Sequence, residues 1–494
     1  MKKRWYIAAE LVFFLIALIF AYVFVNQFSV MFLSKDRHVY FCDQVIFEVV
    51  GKAWANGIPA YTYYFDHKGP IVFLFFCLGY LVDGTRHGLM LFYVFWTALS
   101  MYLLHKTLFQ MNWFVSYKAN MLVSSTVGIL GIFLLWLMNV QSGIVVAQII
   151  MPFLLICVWI LCHWYQNGFT TGWYLHLIYG VCCMLIILAR ANDAIFVFIA
   201  YVMLFFMNLS RQSERNLFMT ILGGLLPFAW FYAYFCRYDA ADTFMYCTFW
   251  SNFKYVGISA NSDESCTYAF VYALIAIFIV FTIVIYKRKQ HAFAYLLAFA
   301  CHLGFYATTT RFLQYLVSFL AEIVVLLYIA SYDIKLQRIR QKQIFGMIMA
   351  LFLSYFAVAT FVVTLYVGWY HAVYEKIYDF DDMICEDLIS SGKSYMVFND
   401  PHLLGTILDA GYELPACRYA LFQDWHVYCH ILSKEDMKAG IDESKPDVII
   451  LVNESPDADY YFEDYDLVAV KDPADITGFS YNEEFTYYFY ERCD

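Results

Sequence analysis

From Trp5 to residue 371 the chain is a series of apolar runs separated by polar breaks, most of them short. The runs fall at Trp5 to Phe28 and near 87–106, 119–138, 143–163, 173–189, 192–210, 217–236, 267–286, 290–308, 312–331 and 344–371. A helix needs about 20 apolar residues to cross a bilayer, and most of these runs are close to that length. No water reaches the bilayer core, so each run must close its own backbone hydrogen bonds, which a helix does. Composition agrees: 62% of the 494 residues are hydrophobic and 15% charged, where soluble domains carry about a quarter charged. The expected fold is an α-helical polytopic protein of about eleven spans, embedded in the cell membrane.

Basic residues orient the spans. Lys2, Lys3 and Arg4 precede the first run, which is too long for a signal-peptide core and has no small-residue cleavage site after it. It reads as an uncleaved first span with a cytoplasmic N-terminus. Lys106 with Lys118, Arg211 with Arg215, Lys287-Arg288-Lys289 and Lys335 to Lys342 all fall on the cytoplasmic side if loops 34–70 and 237–266 lie outside. Ile71 to Val82 breaks that parity if it is counted as a span, and it is short. It is expected to be an interfacial helix.

Charge divides the chain into two domains. Residues 372–494 hold 27 acidic and 8 basic residues, a net of −19, and residues 1–371 hold 14 and 23, a net of +9. The acidic tail argues against nucleic acid and keeps the domain off anionic lipid. Short apolar runs at Ser394 to Phe398, Val448 to Val452 and Leu467 to Val470, an aromatic strand at Thr486 to Tyr490, and a helix from Pro401 to Ala410 ended by Gly411 predict a small extracytoplasmic α/β domain. It has no glycine-rich phosphate loop. The 14 cysteines form no CxxC pair and no Cys/His cluster with zinc spacing, so no metal is indicated.

The densest polar chemistry is the first outer loop. Asp43, Phe47 and Gly51 lie at helical spacing, which places Asp43 on a short interfacial helix. Asp66, His67 and Lys68 then arrive just before Gly69-Pro70, a turn into the next helix. An acid, an imidazole and an ammonium at a membrane surface suit a reaction on a lipid phosphate, with the carboxylate as general base and the cations on the phosphate. The plainer reading is a set of solvated, locally paired loop charges. Asp36 is the rival to Asp43 but lacks the downstream spacing.

The pattern from Asp43 through Gly57-Ile-Pro59 to Phe65-Asp-His-Lys-Gly-Pro70 resembles bacterial GT-C class polytopic glycosyltransferases, and is similar to the protein mannosyltransferase and aminoarabinose transferase families. Further matches are Arg190-Ala-Asn192, Gly223-Gly224 with Pro227, and Asn252-Phe-Lys-Tyr255. The resemblance implies an essential aspartate in the first outer loop, a polyprenyl-phosphate sugar donor, and transfer on the outer face without a nucleotide cofactor. Two positions depart from the pattern: Tyr63 stands where an acid is usual, and Gln314, near Arg311, where a histidine is expected.

On that resemblance Asp43 is the catalytic base, and Asp66, His67, Lys68, Arg190, Asn192, Lys254 and Arg311 are the donor-binding candidates. Charge between apolar spans is costly unless paired or facing water, which favours function for Arg190; Arg311 is similar but nearer a loop, where the argument is weaker. The plainer alternatives are snorkelling and a local pair between Arg190 and Asp193, and for Lys254 an interfacial anchor. His302 and His163 read as hydrogen-bonded packing residues. A lipid-linked sugar transporter would want charges near the midplane and an internal repeat. A non-catalytic assembly protein explains the tail and leaves Asp66-His67-Lys68 without a purpose.

Overall fold

The computed structural model describes residues 2–28, 43–110, 117–137, 144–252, 254, 271–272, 274–280, 282, 291–308, 316–333, 381–399, 401–419, 421–422, 427, 431–471 and 486–493. The expected span at 344–371, Asp36, Arg311, Gln314 and the basic clusters 287–289 and 335–342 lie outside them. Helices α1 (Lys2–Phe28), α4 (Arg86–Gln110), α5 (Tyr117–Leu137), α6 (Val146–Gln166), α7 (Trp173–Ile187), α8 (Ile195–Met207) and α9 (Glu214–Cys236) follow the apolar runs, and the shorter α2 (Asp43–Ala55) and α3 (Pro70–Asp83) lie between the first two of them. Helices Ala292–Thr308 and Leu316–Asp333 continue the bundle.

Among the described residues four helical segments are long and apolar enough to cross a membrane: Ile7–Asn26, Arg86–Gln110, Val146–Gln166 and Glu214–Cys236. Five shorter apolar helices pack with them. Burial ranks their positions: 78% of the apolar window of α6 is buried, against 28% for α1 and 11% for α9. Hence α6 is the axis of the bundle, and α1 and α9 turn most of their surface to lipid. The exposed Phe218, Ile221, Leu225 and Trp230 of α9 fit that role.

Side-chain contacts settle how the chain alternates. Lys106, near the end of α4, pairs with Glu10, near the start of α1, at 3.1 Å. Gln166, at the end of α6, donates to the Gln110 carbonyl at 2.9 Å. At the other face Tyr93 of α4 donates to Gln148 of α6 at 3.0 Å. So α1 and α4 run antiparallel, and everything between them must return to one face. A full crossing by α3 would reverse that. Its 14 residues reach about 21 Å, short of the ~30 Å hydrocarbon core. The interfacial helix expected at 71–82 is this α3, packed on α2 and α4.

Glu48 pins α2 in place. Its fully buried carboxylate takes a two-pronged bond from Arg86, Nε at 2.7 Å and Nη2 at 2.9 Å, and a third from the Tyr80 hydroxyl. Gln44 accepts the Ile144 amide, and Trp54 donates to Tyr234 of α9 at 2.9 Å. Removing one charge-assisted partner costs about 1.5–3 kcal/mol, so Glu48→Gln should lower the unfolding midpoint in detergent. An unchanged midpoint would remove this pair as the anchor of α2.

The C-terminal domain is a five-stranded sheet, β1 (Tyr395–Phe398), β2 (Leu421–Phe422), β3 (Val448–Val452), β4 (Tyr465–Lys471) and β5 (Tyr487–Arg492), ordered β2-β1-β3-β5-β4. β1 pairs in parallel with β2 and β3, and β5 runs antiparallel to β3 and β4. Buried β1 and β3 are continuous apolar runs, as strands covered on both faces must be. Helix Pro401–Asp409 ends before Gly411, whose φ of +79° an L side chain rarely adopts. The expected strands are all present; β2 and the helix Lys434–Ser444 were not anticipated.

Candidate functional site

The site lies where α2, the turn into α3, the α7–α8 turn and the C-terminal domain meet. Asp43 is the first residue of α2, so the expected short helix is there; the placement of its side chain lies outside the described residues. Phe47, one turn later, is buried, and the Lys68 ammonium sits 6.0 Å from its ring centroid. The Lys68 amine also donates to His67 Nε2 at 2.6 Å. Asp66 accepts the Lys68 backbone amide at 2.8 Å, the side-chain-to-backbone bond that shapes an Asx turn. Asp66 and His67 are nearly enclosed, each 3% exposed. Asp66 therefore builds the turn, His67 steadies Lys68, and Lys68 is the partly buried cation.

Gly69 brings the second cation to this turn. A Cβ on Gly69 would lie 1.8 Å from the Leu188 carbonyl oxygen, so the two backbones touch. Arg190 follows two residues after Leu188 and precedes the 3₁₀ turn Ala191–Ala194. Two motifs 120 residues apart thus share one contact. Arg190 Nε donates to Asp193 at 2.5 Å, the local pair that was its plainer reading. Asn192 lies in the same turn, partly exposed, and its carbonyl accepts the Ile195 amide.

A second pair backs the first. His302 is hydrogen-bonded to Glu322, both almost wholly buried, and Asp193 and Arg190 are close enough to act on His302 electrostatically. His302 and Glu322 inside apolar helices, and Arg190 and Asp193 in the turn beside them, are tolerable because each group is paired with its opposite. His302 is a hydrogen-bonded packing residue, as expected; Glu322 was missed, one acid within a long apolar run. The Gly223 match has a packing origin as well. A Cβ there would come within 2.2 Å of the Leu177 carbonyl, and one on Gly180 within 2.1 Å of the Thr220 carbonyl. These glycines let α7 and α9 cross backbone to backbone.

The C-terminal domain closes over the first loop. The Tyr63 hydroxyl donates to the Ala416 carbonyl, the Tyr64 hydroxyl to Pro415 at 2.8 Å, and the Phe65 amide to Arg418 at 2.9 Å. From the later loop, the Tyr246 hydroxyl donates to Ile431 at 2.8 Å. Tyr63, the departure from the family pattern, is thus a docking contact. Arg418 is a cation that sequence reasoning missed. Asp66 and Arg418 both act on the buried Cys247. Its one signal was to be among the few basic residues in an acidic tail. Lys254 lies elsewhere from Lys68: it lines a cavity of about 590 Å³ with Tyr246, Asp242, Arg418, Tyr419 and Asp436, and Phe65 forms the first-loop wall.

Two solved structures share this architecture. ArnT from Cupriavidus metallidurans bound to undecaprenyl phosphate superposes with a TM-score of 0.54 at 12% identity, covering 97% of each chain. Its apo form gives 0.52 at 13% identity, with the same coverage. The chain shares the fold of these ArnT structures. Coverage of both chains end to end means that bundle and C-terminal domain are shared together. No protein-family model matches the sequence, and no curated protein matches it significantly.

Proposed function

We propose that this protein transfers a sugar from a polyprenyl-phosphate donor to an acceptor hydroxyl at the outer face of the cell membrane. The observation that carries the reading is the Gly69–Leu188 contact, which sets Lys68 and Arg190 on adjoining turns at the loop face of a GT-C fold. A fold neighbour with undecaprenyl phosphate bound gives that pair of cations a matching lipid class.

In this reading the acceptor O–H gives its proton to the Asp43 carboxylate while its oxygen attacks the anomeric carbon. The bond from that carbon to the phosphate oxygen breaks, and polyprenyl phosphate leaves with the extra negative charge. Attack opposite the leaving group inverts the anomeric centre. A phosphate already leaves well, so the protein mainly positions the partners and neutralises charge. Lys68 and Arg190 serve the phosphate, with Asp66, His67 and Asn192 shaping their turns. Arg311 is a further phosphate candidate from its sequence position.

Lys68→Ala or Arg190→Ala should weaken binding of undecaprenyl phosphate to the purified protein by roughly ten- to a hundred-fold, the loss of one charge-assisted contact of about 1.5–3 kcal/mol. Unchanged affinity in both variants would assign these cations to structure alone. Orientation has its own test. Cys493, in the C-terminal domain, is exposed, so a membrane-impermeant maleimide applied to intact cells should label it. A cysteine introduced at Ser213, in a background where Cys42, Cys236, Cys266, Cys429 and Cys493 are serine, should stay unlabelled. Labelling of Cys493 only after lysis would invert the topology and with it the site.

A further inference from the structure

The cavity between the second outer loop and the C-terminal domain has no part in the phosphate chemistry above, yet it is built as a polar binding site. At about 590 Å³ it falls within the ~300–1,000 Å³ usual for small-ligand sites. Its charged lining is balanced: Lys254 and Arg418 against Asp242 and Asp436. A polyanion or polycation would meet as much repulsion as attraction there. A neutral ligand dense in both donors and acceptors would suit the set, with Asp436 Oδ2 already accepting from Ser433 and its other oxygen facing the ligand's donors.

Each cation is held by a ring. The Lys254 ammonium lies 5.1 Å from the Tyr246 ring centroid and 3.1 Å from its hydroxyl, and the Arg418 guanidinium stacks 5.6 Å from Tyr419. The rings are anchored in turn, Tyr246 to the Ile431 carbonyl and Tyr419 to the Asp436 carbonyl at 3.1 Å. Burial pushes the Tyr419 phenol up to about 12, so it remains a donor at neutral pH. Side chains ordered before binding lose little freedom on binding, which favours recognition by directed hydrogen bonds. A guanidinium offers a fixed fork of N–H donors and a carboxylate two acceptor oxygens, so either can meet two adjacent hydroxyls.

We propose that this cavity binds a neutral saccharide through its vicinal hydroxyls and serves as the acceptor subsite. The acceptor role rests on the transferase reading; the saccharide chemistry does not. Phe65, the residue before Asp66, lines the cavity, so a sugar seated there touches the loop that carries Lys68. The cavity also gives the C-terminal domain a purpose, because Arg418, Tyr419 and Asp436 come from it.

The test uses the full chain in nanodiscs and saturation-transfer NMR with maltose, lactose, N,N′-diacetylchitobiose and glucuronate as probes. At least one neutral disaccharide should receive saturation, and its affinity should fall roughly tenfold or more in Arg418→Ala and in Asp242→Asn. Transfer to none of the neutral probes, transfer to glucuronate alone, or unchanged affinity in both variants would overturn the proposal. Undecaprenyl phosphate binding is measured on the same samples. Saccharide binding without lipid binding would support the cavity and defeat the transferase reading, and the reverse would defeat the cavity alone.

Discussion

Asp43→Asn should lower sugar transfer by about 10²- to 10⁴-fold, the usual worth of general-base assistance. Asparagine keeps the size and much of the hydrogen bonding but cannot accept the acceptor's proton. The lost interaction acts in the transition state, so lipid affinity and membrane insertion should hardly change. The helix that Asp43 opens is held by Glu48 to Arg86, by Gln44 to Ile144 and by Trp54 to Tyr234. A side-chain change at its first residue therefore has little leverage on the fold. Asp36→Asn in the same assay is the control and should be mild. If Asp36→Asn abolishes transfer and Asp43→Asn retains it, the base is misassigned. If neither matters with a confirmed donor and acceptor, the loop is not catalytic. Until an acceptor is identified, donor hydrolysis reads the same step with water as the nucleophile.

Gly69→Ala should be nearly as damaging without touching a charge. The new methyl would sit 1.8 Å from the Leu188 oxygen and 2.6 Å from its carbonyl carbon. An ordinary carbon–oxygen contact is about 3.3 Å or more, so the turns must part by roughly 1.5 Å. Overpacking of this kind costs about 1–3 kcal/mol of stability. A misplacement of about 1 Å at a reacting centre costs about 10²-fold in rate. Lys68 and Arg190 both survive in this variant, so a fall in lipid affinity and transfer reports their alignment and not their charge. Gly304→Ala is the matched control: among the described residues a Cβ there meets nothing within 4 Å, and the variant should behave as wild type. Transfer within twofold of wild type in Gly69→Ala would mean that the contact does not align the cations.

What the sequence could determine was whatever has a local physical signature. Apolar run length announces a helix in lipid, because the bilayer leaves an unpaired backbone no alternative. The shortness of Ile71 to Val82, set against the basic clusters, was enough to keep α3 from being a full crossing. Strands of the C-terminal domain were readable because β1 and β3 are apolar throughout, while β2, two residues long, left no pattern. The turn at Asp66 to Pro70 declared itself by its residue types.

Tertiary structure alone decided what those pieces meet. Tyr63, Tyr64 and Phe65 bond to backbone groups at 415–418, and a carbonyl acceptor is the same at every residue, so no side-chain pattern marks the partner. Gly69 signals a close approach but not to what; only the folded chain names Leu188, and through it Arg190. Arg190 in sequence favoured a phosphate ligand, with a pair to Asp193 as a plainer reading; the fold makes that pair and adds His302–Glu322 behind it. Lys254 in sequence was equally a donor ligand and an interfacial anchor of the second outer loop, and the fold makes it line, with Arg418, the cavity that this loop shares with the C-terminal domain. The reason is common to all four cases: periodicity reports which face of an element is apolar, while a site assembled from turns depends on contacts between segments that have no period.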